Sequence, residues 1–302
     1  MAYPSSNMKI LVTGATGFIG KHVYAKLREQ GYSVIGISKN GDQVNGILGV
    51  DIVKKEDLEK LFLNNRFDLI FHLAAYIPKA DSKNYVEELF NCFNVNTLGT
   101  INLVEEGLKH KLGKLVFSSS ASVYPEYPEK LPVSENEVCP RNFYGESKLL
   151  GEVYLGSLSR THPFSCVSLR YSSVYGPGQS QRSVLPLFLG NAKKGGTLSV
   201  FGSGSRSQDF VYIDDVADVT IKAGLEGKCG VYNIGSGQET SMLELANGIV
   251  NVVGKGKVEI SQEIGQDSRF YLDISRAVEE LGYTPAYSLS MGLEVLFRAD
   301  SG

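Results

Sequence analysis

The stretch "ILVTGATGFIGKHV", Ile10 to Val23, joins a β-branched apolar run to a helical pattern through a glycine-rich turn. Gly14, Gly17 and Gly20 occupy that turn with the spacing GxxGxxG. Glycines placed between a strand and a helix permit a tight turn, an open backbone approach to a pyrophosphate and close packing of helix on strand. The helix N-terminus then binds the anion. The stretch therefore predicts a dinucleotide-binding turn, with contacts from Gly14, Thr16, Gly17, Phe18, Ile19 and Gly20.

Downstream of this turn, short apolar runs alternate with longer helical patterns. The predicted strands are "KILVT", "YSVIGIS", "FDLIFHLA", "KLVFSS" and "FSCVSLRY". The predicted helices are "FIGKHVYAKLREQ", "KEDLEKLFLN", "ELFNCFNVNTLGTINLVEEGLKH" and "YGESKLLGEVYLGSLSR". Near-continuous apolar strands are typical of a parallel sheet buried on both faces. The pattern predicts an α/β fold with a doubly wound parallel sheet.

The second half of the chain has a different composition. After Tyr171, Gly- and Ser-rich segments such as "GPGQSQ", "KKGGT" and "FGSGSRSQD" separate short elements. We therefore predict a dinucleotide-binding domain formed mainly by residues 1–170. A smaller α/β domain formed mainly by residues 171–302 is predicted to bind substrate, with some segments returning to the first domain.

Composition restricts the possible partners. The net charge of the 302-residue chain is −3 and no block of like charges occurs, so we expect neither nucleic-acid nor membrane binding. A small-molecule ligand is favoured. The four cysteines form no CxxC and the four histidines no HExxH, so we expect no metal site and no disulfides. The opening residues lack a signal-peptide pattern, and the expected location is cytoplasmic.

The end of the second strand carries the signal for cofactor choice. NAD-binding domains usually place an acidic residue there, on the adenosine ribose. This chain has Ser38 and Lys39, a hydroxyl and a cation that could receive a 2′-phosphate. NADP is therefore favoured, with NAD possible. Asp51 follows the third strand, beside Ile52, and either binds the adenine amino group or caps the next helix.

Serines at the end of the fifth strand and a Tyr/Lys pair on the following helix suggest an acid/base site. Tyr144 and Lys148 are four residues apart and so share a helix face. A nearby ammonium lowers the pKa of a phenol, so that the tyrosine can exchange protons near neutral pH. Each feature alone is also common in structural positions. Their occurrence together, after a glycine turn, favours catalysis.

The order of motifs resembles that of the extended short-chain dehydrogenase/reductases, the NAD(P)-dependent sugar-nucleotide epimerase, dehydratase and ketoreductase family. The segments that carry the resemblance are "TGATGFIG", "FHLAA", "NVNTLGTINLV", "VFSSSASVY", "YGESK", "LRYSSVYGPGQ", "DFVYIDDVAD", "YNIGSG" and "DISRAVEELGY". The resemblance implies a Rossmann-type domain, a small C-terminal substrate domain and a homodimer formed through two helices that include the Tyr144 helix.

The resemblance also assigns roles by position. Ser120 would polarise the sugar oxygen, Tyr144 would exchange its proton, and Lys148 would bind the nicotinamide ribose and lower the tyrosine pKa. Asn96 would be a structural and proton-relay residue. Cofactor contacts would also come from His72, Leu73, Ala74, Ala75 and Tyr171.

Several positions depart from the family pattern. Dehydratases of this family usually carry an acidic residue just after the catalytic hydroxyl position, where this chain has Ala121 and Ser122. This departure argues against 4,6-dehydration. Two arginines that usually clamp the nucleotide diphosphate are replaced by Gln208 and Glu263. The substrate contacts predicted instead are Ser119, Ser120, Ser173, Arg182, Val184, Arg206 and Arg269.

The leading prediction is an NAD(P)-dependent enzyme that transfers hydride at a sugar carbon, C4 in most relatives, of a nucleotide-linked hexose. Tyr144 is the predicted acid/base, and the reaction is either 4-ketoreduction or 4-epimerisation. One alternative is a reductase of a carbonyl substrate without a nucleotide. Another is a non-catalytic dinucleotide-binding sensor.

Overall fold

A computed structural model describes residues 8–79, 82–180, 183–261 and 267–299. Within these ranges the chain forms two compact units. The first contains the described residues up to Tyr124, together with Val138–Arg170 and Ala217–Tyr232. The second contains Pro125–Glu137, the described part of 171–216 and the described residues from Asn233 onward. The assignment of cofactor binding to one domain and substrate binding to the other stays a prediction.

The strands, in chain order, are β1 (Lys9–Thr13), β2 (Ser33–Ser38), β3 (Leu48–Gly49), β4 (Leu69–His72), β5 (Lys114–Ser120), β6 (Ser165–Tyr171), β7 (Ser173–Tyr175), β8 (Thr197–Phe201), β9 (Ser207–Gln208), β10 (Phe210–Tyr212), β11 (Gly230–Ile234), β12 (Thr240–Ser241) and β13 (Lys257–Ser261). The α-helices are α1 (Phe18–Glu29), α2 (Lys55–Leu63), α3 (Tyr85–Cys92), α4 (Thr100–Lys109), α5 (Phe143–Thr161), α6 (Val184–Lys193), α7 (Ile213–Leu225), α8 (Met242–Val253), α9 (Ser275–Leu281) and α10 (Leu289–Ala299). A π-helix covers Phe93–Gly99 and a 3₁₀ turn covers Ala121–Val123.

A seven-stranded sheet has the order β11-β6-β5-β4-β1-β2-β3. The pairs β1–β2, β1–β4, β2–β3 and β4–β5 are parallel. The order of the first six strands is that of a doubly wound Rossmann fold, and it reverses between β1 and β4. The predicted fold class is confirmed. Ligands of such sheets bind at the carboxyl ends of the strands, beside the point of reversal.

The core follows from the apolar pattern of the strands. Ile10, Leu11 and Val12 of β1 are fully buried, as are Ile70 and Phe71 of β4. Burying an apolar side chain of this size contributes roughly 1.5–3 kcal/mol. The strand ends are therefore held rigidly, and the loops that follow them have fixed starting points.

The described strands of the second unit include the two-stranded pairs β10–β7, β12–β9 and β13–β8, and buried polar contacts join its turns. The Asp209 carboxylate, which is buried, accepts hydrogen bonds from the main-chain N–H groups of Ser236, Gly237 and Leu272 at 2.7, 3.2 and 3.2 Å. A side chain at Gly235 would meet this carboxylate, because its Cβ would lie 2.3 Å from Asp209 Oδ2. Asp209, the first residue of the "DFVYIDD" segment, therefore holds the backbone at residues 236–237 and at Leu272 in place.

One element differs from the prediction. The helical pattern of residues 88–110 predicts a single helix, but the structure contains α3, the π-helix and α4 in succession. A π-turn widens the backbone by one residue and is common at functional sites. Among the described residues, no helix has both the length and the apolar character needed to cross a membrane.

Candidate active site

The glycine turn lies at the reversal point of the sheet. Gly14 has φ +68°, which favours glycine, and a Cβ there would lie 2.7 Å from Ala74 Cα after β4. A Cβ at Gly20 would lie 2.0 Å from the Gly14 oxygen. Both positions exclude a side chain, so the backbone of the turn stays bare and α1 packs closely on it.

The N-terminus of α1 is available to an anion. Within the described ranges no side chain caps it at Gly17, and its first turn contains no acidic residue. The N–H groups at the start of a helix need acceptors, and a phosphate can supply them. The residues present therefore fit the pyrophosphate of a dinucleotide, and Thr16, Phe18 and Ile19 lie in the segment that would hold it.

The end of β2 is less suited to NADP than the sequence indicates. Lys39 Nζ lies 3.6 Å from Asp51 Oδ2, so the predicted phosphate-binding cation already faces a carboxylate. Lys39 is 76% exposed. The Ser38 hydroxyl oxygen is buried rather than open to solvent. Asp51 Oδ1 also accepts from the N–H of Val53 at 3.1 Å, but Val53 precedes α2, whose N-cap is Lys54 and which no side chain of the described residues caps, so the alternative capping role of Asp51 finds no support. Ile52 beside it is buried.

His72 at the end of β4 lies in a buried hydrogen-bond chain. Its Nδ1 is 2.7 Å from Thr13 Oγ1 and its Nε2 is 2.8 Å from Thr100 Oγ1. Thr100 donates to the Asn96 carbonyl at 2.6 Å, and Thr13 accepts from the Ala74 N–H at 3.1 Å. These contacts fix the tautomer of His72: Nε2 is protonated and donates to the Thr100 hydroxyl, and Nδ1 accepts from the Thr13 hydroxyl. Burial lowers the His72 pKa to about 3, so the ring is neutral.

The side chain of His72 thus lies in the core and connects β1 and β4 to the π-helix. This placement differs from the predicted lining of the cofactor site by His72. Leu73 and Ala74 follow it half-buried, and Ala75 is exposed at the surface. These three residues stay predicted cofactor contacts.

Asn96 lies in the π-helix and is fully buried. Its side-chain amide donates to the Tyr76 carbonyl and to Ser147 Oγ, each at 3.0 Å, and its Oδ1 accepts from the Tyr76 N–H at 2.7 Å. Ser147 Oγ donates to the Tyr144 carbonyl at 2.7 Å. Asn96 therefore ties the loop after β4 to the helix that carries Tyr144.

The predicted Ser/Tyr/Lys set comes together in the first unit. The Ser120 side chain lies near enough to Tyr144 to lower the pKa of its phenol. Lys148 Nζ donates to the Ser118 carbonyl at 2.7 Å and lies 5.9 Å from the centre of the Tyr144 ring. Strand β5 and helix α5 thus place a hydroxyl, a phenol and an amine at one edge of the sheet.

Burial controls the protonation of this set. Burial raises the pKa of Tyr144 well above its usual value, and the Cys92 thiol acts in the same direction, whereas the hydrogen bond from Ser120 lowers it. Burial lowers the pKa of Lys148 to about 7, against the opposing effects of Cys92 and Glu152. A lysine titrating near neutrality can change its charge readily, so small changes around it alter the stability of a phenolate.

Two glycines bring α5 against β5. The helix begins after Asn142, whose side chain accepts from the Gly145 N–H at 2.9 Å. A Cβ at Gly145 would lie 2.0 Å from the Ser122 oxygen, and one at Gly151 would lie 2.7 Å from the Phe117 ring. The absence of both side chains allows the close approach that the site requires.

Ser119 has a different place from the one predicted. Its hydroxyl is buried and donates to the Glu152 carboxylate, so the predicted substrate contact of Ser119 has no support in the structure. Glu152 also pairs with Arg170, which reaches the Tyr124 hydroxyl at 2.9 Å. Sequence reasoning missed Glu152, although its position four residues after Lys148 puts it on the same helix face.

The predicted substrate residues of the second unit have described partners within that unit. Arg206 lies 3.8 Å from Glu126, and Arg269 binds Glu239 through two contacts of 2.7 and 2.5 Å. Ser173 Oγ donates to the Gln208 side chain at 3.0 Å. Of the other predicted substrate contacts, Val184 is the first residue of α6 and Arg182 lies outside the described residues. Tyr171, a predicted cofactor contact, is buried at the end of β6.

Comparison with known proteins gives a consistent result. The model of the NAD-dependent epimerase/dehydratase family matches residues 10–235. A putative UDP-glucose 4-epimerase of Methanocaldococcus jannaschii is 36% identical over 298 residues, which cover 94% of this chain and 96% of that protein.

Two solved structures have the same fold along nearly the whole chain. UDP-glucose 4-epimerase of Thermotoga maritima, solved with UDP-glucose, superposes with a TM-score of 0.87 at 32% identity and covers 97% of this chain and 99% of that one. UDP-glucose 4-epimerase of Thermus thermophilus, a complex with NAD, has a TM-score of 0.85 at 29% identity, covering 98% and 99%. The predicted preference for NADP finds no support among these matches.

Proposed function

Because the chain belongs to the NAD-dependent epimerase/dehydratase family, we propose that it interconverts the C4 epimers of a UDP-linked hexose. The observation that carries the proposal is the contact of Tyr144 with Ser120 beside the buried Lys148. An acid/base phenol, a hydroxyl and a cation are the groups that oxidation and reduction of a sugar carbinol require.

NAD, when bound, would accept a hydride from the sugar carbon and return it to the opposite face. The glycine turn and the N-terminus of α1 would hold its pyrophosphate, and Asp51 would lie near its adenosine. We place NAD before NADP because the Lys39 cation is already paired with Asp51.

Side chains of the protein carry out the proton transfer. Tyr144 takes the proton of the C4 hydroxyl as the carbonyl forms and returns it when the alcohol is restored. Ser120 hydrogen-bonds the same sugar oxygen and holds Tyr144 in place. Lys148, when charged, stabilises the Tyr144 phenolate. The raised pKa of Tyr144 implies that this charge is needed for proton removal.

The substrate class rests on the relatives solved or named with UDP-glucose. For its diphosphate this chain offers Arg206 and Arg269, with Ser173 and Val184 as further contacts. Both arginines face carboxylates, Glu126 and Glu239. This pairing favours, as a second candidate, a reductase whose carbonyl substrate has no nucleotide. Ala121 and Ser122 argue against a 4,6-dehydratase.

The test uses freshly purified protein. UDP-glucose is added without dinucleotide, and UDP-galactose is measured by chromatography, while a denatured sample is analysed for released NAD. Conversion with bound NAD supports a 4-epimerase. Conversion of a 4-keto sugar only with added reduced dinucleotide supports a ketoreductase. Failure of both reactions, with dinucleotide bound, supports a sensor.

Tyr144→Phe is the matched variant, because it removes only the acid/base oxygen. We expect loss of nearly all turnover with retained dinucleotide binding. Tyr154→Phe, on the same helix, is the control, and its hydroxyl is bound instead to Glu105. Equal activity of wild type and Tyr144→Phe would contradict the catalytic assignment.

We also propose a homodimer. Apolar side chains are exposed on α3, α5 and the π-helix of the first unit: Tyr85, Val86, Phe90, Leu98, Leu150 and Val153. Exposed apolar side chains that cluster on neighbouring helices mark an association surface. Light scattering of wild type and of Val153→Glu tests this, since a dimer formed there should dissociate in the variant. The cytoplasmic location and the absence of a metal stay predictions.

A further inference from the structure

Three residues of α5 face three consecutive serines of β5. Tyr144, Lys148 and Glu152 recur every fourth residue and therefore share one helix face. Their partners are the Ser120 side chain, the Ser118 carbonyl and the Ser119 hydroxyl, respectively. The third contact, between Glu152 and Ser119, is not used by the chemistry proposed for the first two.

Glu152 is held on its other side by Arg170. Arg170 Nε and Nη2 donate to the two carboxylate oxygens at 2.9 and 2.6 Å, and each of these side chains is only 4% exposed. Arg170 donates further to the Tyr124 hydroxyl. Replacing a buried ion pair by apolar side chains is often neutral or stabilising, so stability alone gives a weak reason for this arrangement.

The position of Ser119 suggests a functional reason for the Glu152–Arg170 pair. Ser119 lies between Ser118, whose carbonyl accepts a hydrogen bond from Lys148, and Ser120, whose hydroxyl contacts Tyr144. His72, the last residue of β4, pairs with Phe117, so Ser118, Ser119 and Ser120 extend beyond the register of β5 with that strand. The carboxylate of Glu152 fixes the middle of this segment through the Ser119 hydroxyl.

We propose that Glu152 is a positioning residue for the reaction. Through Ser119 it holds the Ser118 carbonyl and the Ser120 hydroxyl against Lys148 and Tyr144, and its carboxylate keeps Lys148 charged from one helical turn away. This inference rests on the proposed roles of Tyr144 and Lys148 in hydride and proton transfer at the sugar.

Of the ionisable groups around Lys148, Glu152 is the one that can stabilise the charge of its ammonium group. Lys148 is faced by Cys92 of α3, by His72 of β4 and by Tyr144 of its own helix. Burial keeps His72 neutral, lowering its pKa to about 3, and raises the pKa of Cys92 to about 11. His72 and Cys92 are therefore uncharged at neutral pH, whereas the Glu152 carboxylate lies one helical turn from Lys148 and is paired with Arg170. Loss of Glu152 would also leave Arg170 as a second buried cation.

The test compares three variants with wild type. Glu152→Gln removes the charge at nearly constant shape. Glu152→Gln with Arg170→Met removes the pair together and avoids an unpaired buried guanidinium. Glu146→Gln is the control, because it removes one carboxylate from an exposed position on the same helix. Lys148 is titrated by NMR in protein with ¹³C-labelled lysine, with Lys148→Met for assignment, and the pH profile of kcat is measured in parallel.

We expect the midpoint of the Lys148 titration to fall by about one pH unit in both Glu152 variants, and kcat to fall about tenfold with an alkaline limb displaced to lower pH. Glu146→Gln should match wild type. A wild-type Lys148 midpoint in the double variant would overturn the inference, because Glu152 would then serve only to neutralise Arg170. If wild type converts no UDP-sugar, the proposed function fails, and the NMR titration still decides the link between Glu152 and Lys148.

Discussion

The main-chain oxygen of Ser122 lies where a side chain at Gly145 would begin, 2.0 Å from the position of its Cβ. Gly145→Ala should therefore push the start of α5 away from β5 and separate Tyr144 from Ser120. We expect a loss of kcat of at least tenfold and a lower free energy of unfolding, measured by steady-state kinetics and denaturant titration.

Gly156 provides the control for this variant. It lies in the same helix, and its nearest neighbour would be an Arg160 nitrogen at 3.9 Å. Gly156→Ala should keep full activity and stabilise the protein by about 0.5–1 kcal/mol, since alanine favours a helix interior. Equal effects of the two substitutions would contradict the packing argument.

The neutral His72 predicts a specific acid sensitivity. Its pKa is about 3 in the folded chain against 6.5 for a free histidine, so the unfolded chain binds more protons between these values. The stability that the neutral ring contributes is complete above pH 6.5 and is lost as pH falls toward 3, at up to about 1.4 kcal/mol per pH unit. Denaturant unfolding over this range should show a shallower pH slope for His72→Gln than for wild type. Identical slopes would assign the acid sensitivity to other groups.

Asp51 should limit the use of NADP. Asp51→Asn removes the carboxylate beside Lys39, so a 2′-phosphate would meet a cation without its counter-charge. We expect the affinity for NADP relative to NAD to rise several-fold, measured by titration of dinucleotide-free protein. The gain should disappear when Lys39→Met is added. An unchanged ratio in Asp51→Asn would show that the adenosine phosphate lies elsewhere.

Arg269 should affect substrate binding more than turnover. If it leaves Glu239 to bind a diphosphate, Arg269→Met should raise KM for a UDP-sugar about tenfold with little change in kcat, since it removes a charge-assisted contact. Arg276→Met, which removes an exposed partner of Glu280, is the control. An unaffected KM in Arg269→Met would show that other residues bind the diphosphate.

The fold was accessible from the sequence because both of its signals are local. Apolar β-branched runs, such as that of β1, mark buried parallel strands, and the glycine turn marks the strand that starts the reversal of order. The Tyr144/Lys148 pair was accessible for the same reason, since four-residue spacing alone puts two side chains on one helix face.

The features that the sequence concealed depend on contacts distant along the chain. The π-turn depends on how Asn96 binds Tyr76 and Ser147, and the local pattern of residues 88–110 is indistinguishable from that of an ordinary helix. The partners of Lys39 and Arg269, Asp51 and Glu239, are brought near by folding. Propensity carries no information on such pairings. The preference for NADP at Lys39 found no support, and substrate binding by Arg269 stays a prediction.

The strand order delays completion of the seven-stranded sheet during translation. β11 is the outermost strand of the seven-stranded sheet, next to β6, yet residues 172–229 are translated between them. While the ribosome produces these residues, the free edge of β6 has unpaired backbone groups that could pair with another chain. The nascent protein therefore passes through an interval of exposure to aggregation that ends only when β11 emerges.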